Sequence, residues 1–412
     1  MSRKRLLVIG GGAAGFFCAV NAARLNPELE VTLVEKTNKL LSKVKVSGGG
    51  RCNVTHACFD IMEMSANYPR GQNFVKKCFH WFFTNNTVQW FKERGVELKA
   101  EQDGRMFPVS DKSQTIIDCL LKEASKYGVS IRMNRDVKDL VKEGEVWKIR
   151  LADQEELVTE FVCIASGGFV KSHQFDWIKK TGHSIEEPVP SLFTFNIPGN
   201  PITELMGVSV ERASVKIIGT KLEEQGPLLI THWGMSGPLI LRLSAWGARE
   251  LTAMGHNFEI KLNWVPDYHQ QSLMEKFREL RNTIASQKIS NKNPFGLPQR
   301  LWGYLLEQSH VKEEMRWADL PSREQNLLIT NLCAEPFSVK GKTTFKEEFV
   351  TAGGVKLSEI DPNTMMSKLV PNLYFAGEVM DVDGITGGFN FQHAWTSGWL
   401  SGTAISKATA GA

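Results

Sequence analysis

Apolar and polar positions change period several times along this chain. Leu6-Leu-Val-Ile-Gly10 is a short continuous apolar run, the pattern of a parallel strand buried on both faces. It runs directly into Gly10-Gly-Gly-Ala-Ala-Gly15 and then into a helical pattern from Phe16 to Leu25. After Pro27, Val31-Thr-Leu-Val-Glu35 reads as a second strand. Phe161-Val-Cys-Ile-Ala-Ser-Gly-Gly168 is another buried strand ending in small residues, Gly167 among them. Before it, Val129 to Met133, Val137 to Val141 and Val146 to Leu151 suggest short strands of a meander beside the sheet. Near the other end, Leu373-Tyr-Phe-Ala-Gly-Glu378 is a strand closing on Gly-Glu. Gly384-Ile-Thr-Gly-Gly-Phe-Asn390 then leads into a helical stretch from Phe391 to Ala404.

The middle of the chain follows another rhythm. Val208-Ser-Val210, Ala213 to Ile217 and Phe258 to Trp264 alternate apolar and polar residues, as half-buried antiparallel strands do. Leu273, Phe277, Leu280 and Ile284 share one helical face, and Ser322 to Gln325 fits a capping box ahead of Leu328 and Leu332. The chain returns through Thr343 to Val350. These patterns predict three domains: 1–190 with 353–412, a β domain at 191–262 with 333–352, and a helical insert at 263–332.

Gly10-Gly-Gly-Ala-Ala-Gly15 fits G-x-G-x-x-G, with a strand before it and a helix after it. Gly10 permits the tight turn, Gly12 lets a pyrophosphate approach the backbone, and Gly15 lets helix and strand pack closely. The helix N-terminus then offers unpaired N–H groups and a positive dipole end to phosphates. Glu35, 20 residues beyond Gly15, ends the second strand with a carboxylate able to accept both ribose hydroxyls and unfavourable to a 2′-phosphate. Three further segments favour FAD over NAD. Ser47-Gly-Gly-Gly-Arg-Cys-Asn53 can close backbone amides on an anion, with Arg51 to pair with it. The strand ending at Gly168 suits a chain passing beneath a dinucleotide. Glu378 can bind a ribityl hydroxyl, while Gly387 and Gly388 place amides at a flavin's pyrimidine edge.

The combination of GGGAAG, SGGGRCN, THWGMSGP, TAGGV and YFAGEVMDVDGITGGFNFQ resembles the BaiN-like, aminoacetone-oxidase-type three-domain bacterial flavoproteins, over nearly the whole chain. The resemblance implies an α/β fold: a glutathione-reductase-like FAD-binding Rossmann domain with an inserted antiparallel β domain that itself carries a helical insert. It places Gly10, Gly12, Ala14, Gly15, Glu35, Lys36, Ser47, Gly48, Arg51, Cys52, Gly377, Glu378, Gly388 and Asn390 around non-covalent FAD. Val137 matches the position whose backbone meets the adenine. His393 inherits no role.

Composition narrows the partners. Forty-nine Lys plus Arg against 45 Asp plus Glu leave +4 on 412 residues, too little to imply a polyanion partner. Residues 263–332 hold nine basic and eight acidic side chains, giving no basic stripe for nucleic acid. The seven cysteines lack metal-site spacing and suggest reduced thiols in a cytoplasmic setting; no metal is expected. Met1 to Arg5 followed by Leu6 to Val20 looks superficially like a secretory leader. Four glycines inside that run weaken a signal helix, and it is too short to cross a bilayer. The predicted activity is hydride transfer through FAD on a small organic substrate, with NAD(P)H or oxygen as redox partner. His232 in the THWGMSGP segment is a candidate acid or base, with a turn histidine as its plainer reading. Arg105 is a candidate for a substrate carboxylate, with a surface ion pair equally open. Cys52 lacks a CxxC partner for a disulfide relay. The alternatives are an NAD-dependent dehydrogenase without flavin, and a non-enzymatic flavin-binding or RNA-modification-associated protein.

Overall fold

Leu6, Leu7, Val8 and Ile9 are all buried in strand β1 (Arg5–Ile9), as a continuous apolar run requires. The computed structural model describes residues 3–343 and 350–410. β1 is the centre of a five-stranded parallel sheet. On one side lie β2 (Glu30–Val34) and then Ser130–Arg132; on the other lie Phe161–Ile164 and then Leu373–Phe375. The run from Val129 to Met133 therefore belongs to this sheet, not to the meander. Three residues pairing with β2 are too few to display a period. The meander is made by Val137–Glu143, Val146–Leu151 and Glu156–Thr159.

Helix α1 (Ala13–Leu25) begins at Gly12, which provides no side-chain cap, and stops at Asn26 before Pro27. Gly10 turns the chain at φ +120°, and a Cβ there would lie 2.2 Å from Ala165 O. A Cβ on Gly15 would lie 2.0 Å from Gly10 O, so strand and helix pack backbone to backbone. The C-terminal helix, Phe389–Ala410, is longer at both ends than its apolar pattern predicts. It lies along α1 through Gly398 and Gly402, whose added Cβ atoms would each come within 2.6 Å of an α1 carbonyl, Ala14 O and Cys18 O.

The stretch before the Ser47 glycines is helical. Helix α2 (Ser42–Gly50) breaks at Ser47 (ψ 147°), and Gly48, Gly49 and Gly50 follow at φ +59°, +68° and +84°. Strand β3 (Thr55–His56) then pairs with Arg105–Pro108, which also pairs with Leu98–Ala100.

By contacts the chain divides into residues 1–191 with 345–412 and residues 192–344. Strand Val350–Val355 pairs with Ile185–Ser191 inside the first unit. The second unit is built on a seven-stranded antiparallel sheet containing Ser209–Ile217, Glu223–Thr231 and Asn257–Asn263. Its helices Gln270–Thr283, Gln299–Gln308 and Ser322–Ala334 share one hydrophobic core with that sheet: Phe277, Trp302 and Leu328 cluster with Val215, Ile230 and Phe258. The capping box at Ser322 does not form. Pro321 takes the N-cap position, and the Gln325 side chain accepts from Arg281 instead. The return from Thr343 to Val350 falls largely on residues 344–349, outside the described residues. Among the described residues, no helix is long and apolar enough to cross a membrane.

Candidate functional site

Ligands of parallel sheets bind at the carboxyl ends of the strands, and here that edge carries an uncrowded glycine. Gly12 has φ −94° and ψ −172°, a conformation open to any residue, and a Cβ added there would meet nothing within 4 Å. Neither strain nor crowding within the protein calls for glycine at this position. A serine, aspartate or asparagine would cap α1 better.

Glu35 stands beside this turn and is held in place. Its Oε2 accepts from Gly11 N at 2.9 Å, and its Oε1 accepts from Thr37 N and Thr37 Oγ1, each at 2.9 Å. A cleft of about 470 Å³ opens next to it, lined among others by Gly10, Glu35, Lys36, Val137, Phe169 and Trp177. Four of the residues expected from the sequence thus meet on one cavity, with two aromatic walls that the sequence patterns did not single out.

A second group gathers where the far end of the chain meets the α1 mouth. Gly377 packs against Ala14, its N–H donating to Ser397 Oγ at 2.9 Å. Glu378 accepts from Thr351 N at 2.8 Å through Oε1, and Lys43 Nζ lies 2.5 Å from its Oε2. The SGGGRCN segment locks onto the 384–390 loop. With its amide oriented to satisfy both neighbours, Asn53 donates to Thr55 O and accepts from Gly388 N, each at 3.0 Å. The Gly388 amide is therefore engaged by protein. Asn390 is likewise committed, accepting from Gly384 N at 2.9 Å and donating to Gly384 O at 2.8 Å. His56 Nδ1 donates to Gly387 O at 3.0 Å while its ring stacks on Phe389.

Ser47 and Gly48 shape the break after α2, where Gly48 leaves room for Phe107. Arg51 is taken up by protein: its Nε donates to Gly48 O at 3.4 Å, and its guanidinium lies 3.9 Å over the Phe107 ring and 2.6 Å from Glu101. Arg105 reaches the same carboxylate at 3.1 Å and Asp103 at 2.7 Å, an exposed network. Cys52 is buried with φ +63°, and burial pushes its thiol up to about 12, opposed by a hydrogen bond with Ser47. His232 belongs to the second unit, exposed, with its ring edge-on to Trp233 at 3.9 Å.

Two buried polar atoms stand near Gly377 and Glu378 without a hydrogen-bond partner among the described residues: Thr351 Oγ1 and His393 Nδ1. Burial drops His393 to about 4, and its Nε2 is 3.3 Å from Gly377 O, so it stays neutral. Behind this region Arg70 grips the fully buried Asp383 with Nε 2.5 Å from Oδ1 and with Nη2 on Oδ2, and Ser191 Oγ donates to Oδ2 at 2.8 Å. Burial raises the Asp383 carboxyl, opposed by the Arg70 charge. Lys43, His56, Arg70 and Asp383 carried no local signal: each is an isolated charged or polar residue whose partner lies more than 300 positions away.

A curated 3-dehydro-bile acid delta(4,6)-reductase of Clostridium scindens is 26% identical over 411 residues, covering 98% of this chain and 99% of its own. A ribosomal RNA dihydrouridine synthase of Escherichia coli is 29% identical over 409 residues, covering 97% of each. Among solved structures, 3-ketosteroid delta1-dehydrogenase from Sterolibacterium denitrificans superposes with a TM-score of 0.53 at 11% identity, covering 98% of this chain and 99% of that one, a likeness of fold alone. Residues 4–404 match the family described as HI0933-like protein Rossmann domain. The chain belongs to this family, the same BaiN-like, aminoacetone-oxidase-type flavoproteins whose motifs it carries.

Proposed function

We propose that the chain is an FAD-dependent oxidoreductase whose substrate carries a carbon–carbon double bond conjugated to a carbonyl. The observation that carries this reading is Gly12: a glycine with no conformational or steric need, at the N-terminus of α1, beside a fixed carboxylate. The residues present fit the dinucleotide. Gly12 and the first-turn amides of α1 would hold the pyrophosphate, Glu35 the adenosine ribose, and the Val137 backbone the adenine within the Phe169–Trp177 cleft. Glu378, Thr351 and His393 supply the polar atoms for the other half, to which Ser47 and Gly48 are also assigned, while Lys36 lines the adenosine cleft beside Phe169. When bound, FAD supplies a two-electron carrier able to exchange a hydride equivalent with an organic partner. The protein orients it and keeps a neutral imidazole, not a cation, at Gly377. We read the arrangement as a glutathione-reductase-like domain, 1–190 with 353–412, carrying the antiparallel and helical inserts.

The substrate class draws on the relatives. A delta(4,6)-reductase acting on a 3-dehydro compound and a dihydrouridine synthase both saturate ring double bonds. The near balance of charge over 263–332 supports a small molecule over RNA. His232 and Arg105 are proposed for the substrate side. The test is anaerobic: FAD-reconstituted protein is reduced chemically or with NAD(P)H, then mixed with a steroid enone, a uridine-containing RNA fragment, or oxygen. Rapid reoxidation by the enone is expected. Protein that stays colourless with FAD refutes the reading, and reoxidation by RNA alone shifts the substrate to nucleic acid.

A further inference from the structure

Near its start, the C-terminal helix holds one glycine by both backbone polar atoms. Gly377 N donates to Ser397 Oγ at 2.9 Å, and the Ser397 hydroxyl donates onward to His393 O at 2.6 Å. His393 Nε2 meets Gly377 O at 3.3 Å. A carbonyl only accepts, so the imidazole proton sits on Nε2, and Nδ1 is left as a bare lone pair. Gly377 itself is set at φ +76°, packed against Ala14 in the first turn of α1.

That lone pair is buried and unmet. His393 is 3% exposed, and nothing among the described residues donates to its Nδ1. Protonation gives no relief, because burial drops the ring to about 4. A second unmet atom stands close by. Thr351 donates its N–H to Glu378 Oε1 at 2.8 Å, yet its fully buried hydroxyl has no partner among the described residues. Two such atoms beside one dipeptide, Gly377–Glu378, call for a polar ligand. The ligand group at Nδ1 must be a donor. Phosphate oxygens at neutral pH offer no proton, and the adenosine is assigned to the Glu35 cleft. From the α1 turn assigned to the pyrophosphate, the next donors along FAD are the ribityl hydroxyls; the ring N–H lies farther on.

We propose that His393 binds the ribityl chain of FAD: its Nδ1 accepts from a ribityl hydroxyl while its Nε2–H holds Gly377 O. One neutral ring thereby ties the flavin's chain to the glycine that carries Glu378. The proposal rests on the FAD reading above and adds a single hydrogen bond to it.

The experiment titrates full-length apoprotein, labelled with nitrogen-15 histidine, with FAD at neutral pH and follows the imidazole nitrogens by long-range proton–nitrogen correlation. The signal lost in His393→Phe assigns the residue. FAD should move the His393 Nδ1 resonance upfield, as a bare nitrogen does on accepting a hydrogen bond; ADP, which lacks the ribityl chain, should leave it in place. By titration, His393→Phe should raise Kd for FAD about 5- to 10-fold and change Kd for ADP less than about 2-fold. His393→Asn, whose amide oxygen can stand near the Nδ1 position, should recover part of the FAD loss. Circular dichroism checks that both variants are folded. An Nδ1 resonance that FAD leaves unmoved overturns the proposal, and one already upfield in the apoprotein names a buried water as its partner. Equal losses of FAD and ADP in His393→Phe overturn it too, as the mark of a merely structural role. A parent protein that quenches no FAD fluorescence overturns the flavin reading itself, a failure visible before any variant is made.

Discussion

Gly12 and Gly15 lie three residues apart in one motif, yet alanine at each should do opposite things. At Gly15 the new methyl would sit 2.0 Å from Gly10 O, a backbone atom that cannot step aside without shifting β1 against α1. Overpacking of this kind costs about 1–3 kcal/mol, and a rigid backbone neighbour puts it toward the top of that range. At Gly12 the methyl enters open space with a backbone alanine readily adopts. Loss of the better capping residue costs about 0.5–1 kcal/mol, and removing a glycine's unfolded-state freedom returns about 0.4–1 kcal/mol. The net change in apoprotein stability is therefore near zero. Ligand binding should respond the other way: a methyl placed where phosphate must touch backbone weakens FAD by about 1.4–3 kcal/mol, roughly 10- to 150-fold in Kd. Urea denaturation of the apoproteins and FAD titration by fluorescence quenching measure both quantities. Parent-like FAD affinity in Gly12→Ala, or destabilisation of Gly12→Ala equal to that of Gly15→Ala, would refute the assignment of this glycine to a ligand.

Three other outcomes are expected. Glu335 is buried in the second unit, accepting from Trp264 Nε1 at 2.6 Å and Tyr304 OH at 3.0 Å, and burial lifts it from 4.5 to about 7. Its native pKa lies above its unfolded one, so stability present below about pH 4.5 is lost as pH rises to about 7, by about 3 kcal/mol at 1.36 kcal/mol per pH unit. Glu335→Gln should flatten that loss between pH 5 and pH 8 in tryptophan-monitored unfolding; an unaltered pH slope would count against it. Arg70→Met strands the Asp383 carboxylate in the interior and should destabilise by about 3–5 kcal/mol, whereas a loss under about 1 kcal/mol in chemical denaturation would show the pair to be dispensable. Cys52, buried and raised to about 12, should resist iodoacetamide at pH 8 in the folded protein and react only on unfolding, as read by peptide mass.

Where structure is local, the amino-acid pattern was enough. β1, the glycine turn, α1 and Glu35 form a contiguous unit whose period, small residues and spacing each carry meaning, and Ile9, Gly10 and Glu35 from it line one cleft. The antiparallel character of Ser209–Ile217 and Asn257–Asn263 was legible for the same reason. Long-range pairing was not. Nothing near Asn390 shows that its amide closes on Gly384, nor does anything near Gly388 show that Asn53 takes its N–H. Arg51 illustrates the difficulty: cationic and next to three glycines, it suggests anion binding, yet an acidic residue 50 positions onward, Glu101, claims it. Short elements fail differently, since Ser130–Arg132 is too brief for periodicity to tell a sheet edge from a meander.

The glycine contacts between α1 and the C-terminal helix carry a consequence for biosynthesis. A ribosome adding about 5–20 residues per second releases α1 tens of seconds before the helix it must lie against. Until Gly398 and Gly402 emerge, the Ala14–Cys18 face of α1 lacks the helix it packs against, although Phe82, Trp90 and Phe91 already meet Phe17. The nucleotide loop, made first, can be completed only last. Nascent chains stalled short of Phe389 should consequently engage chaperones through their earliest helix, and prosthetic-group loading becomes a post-translational event.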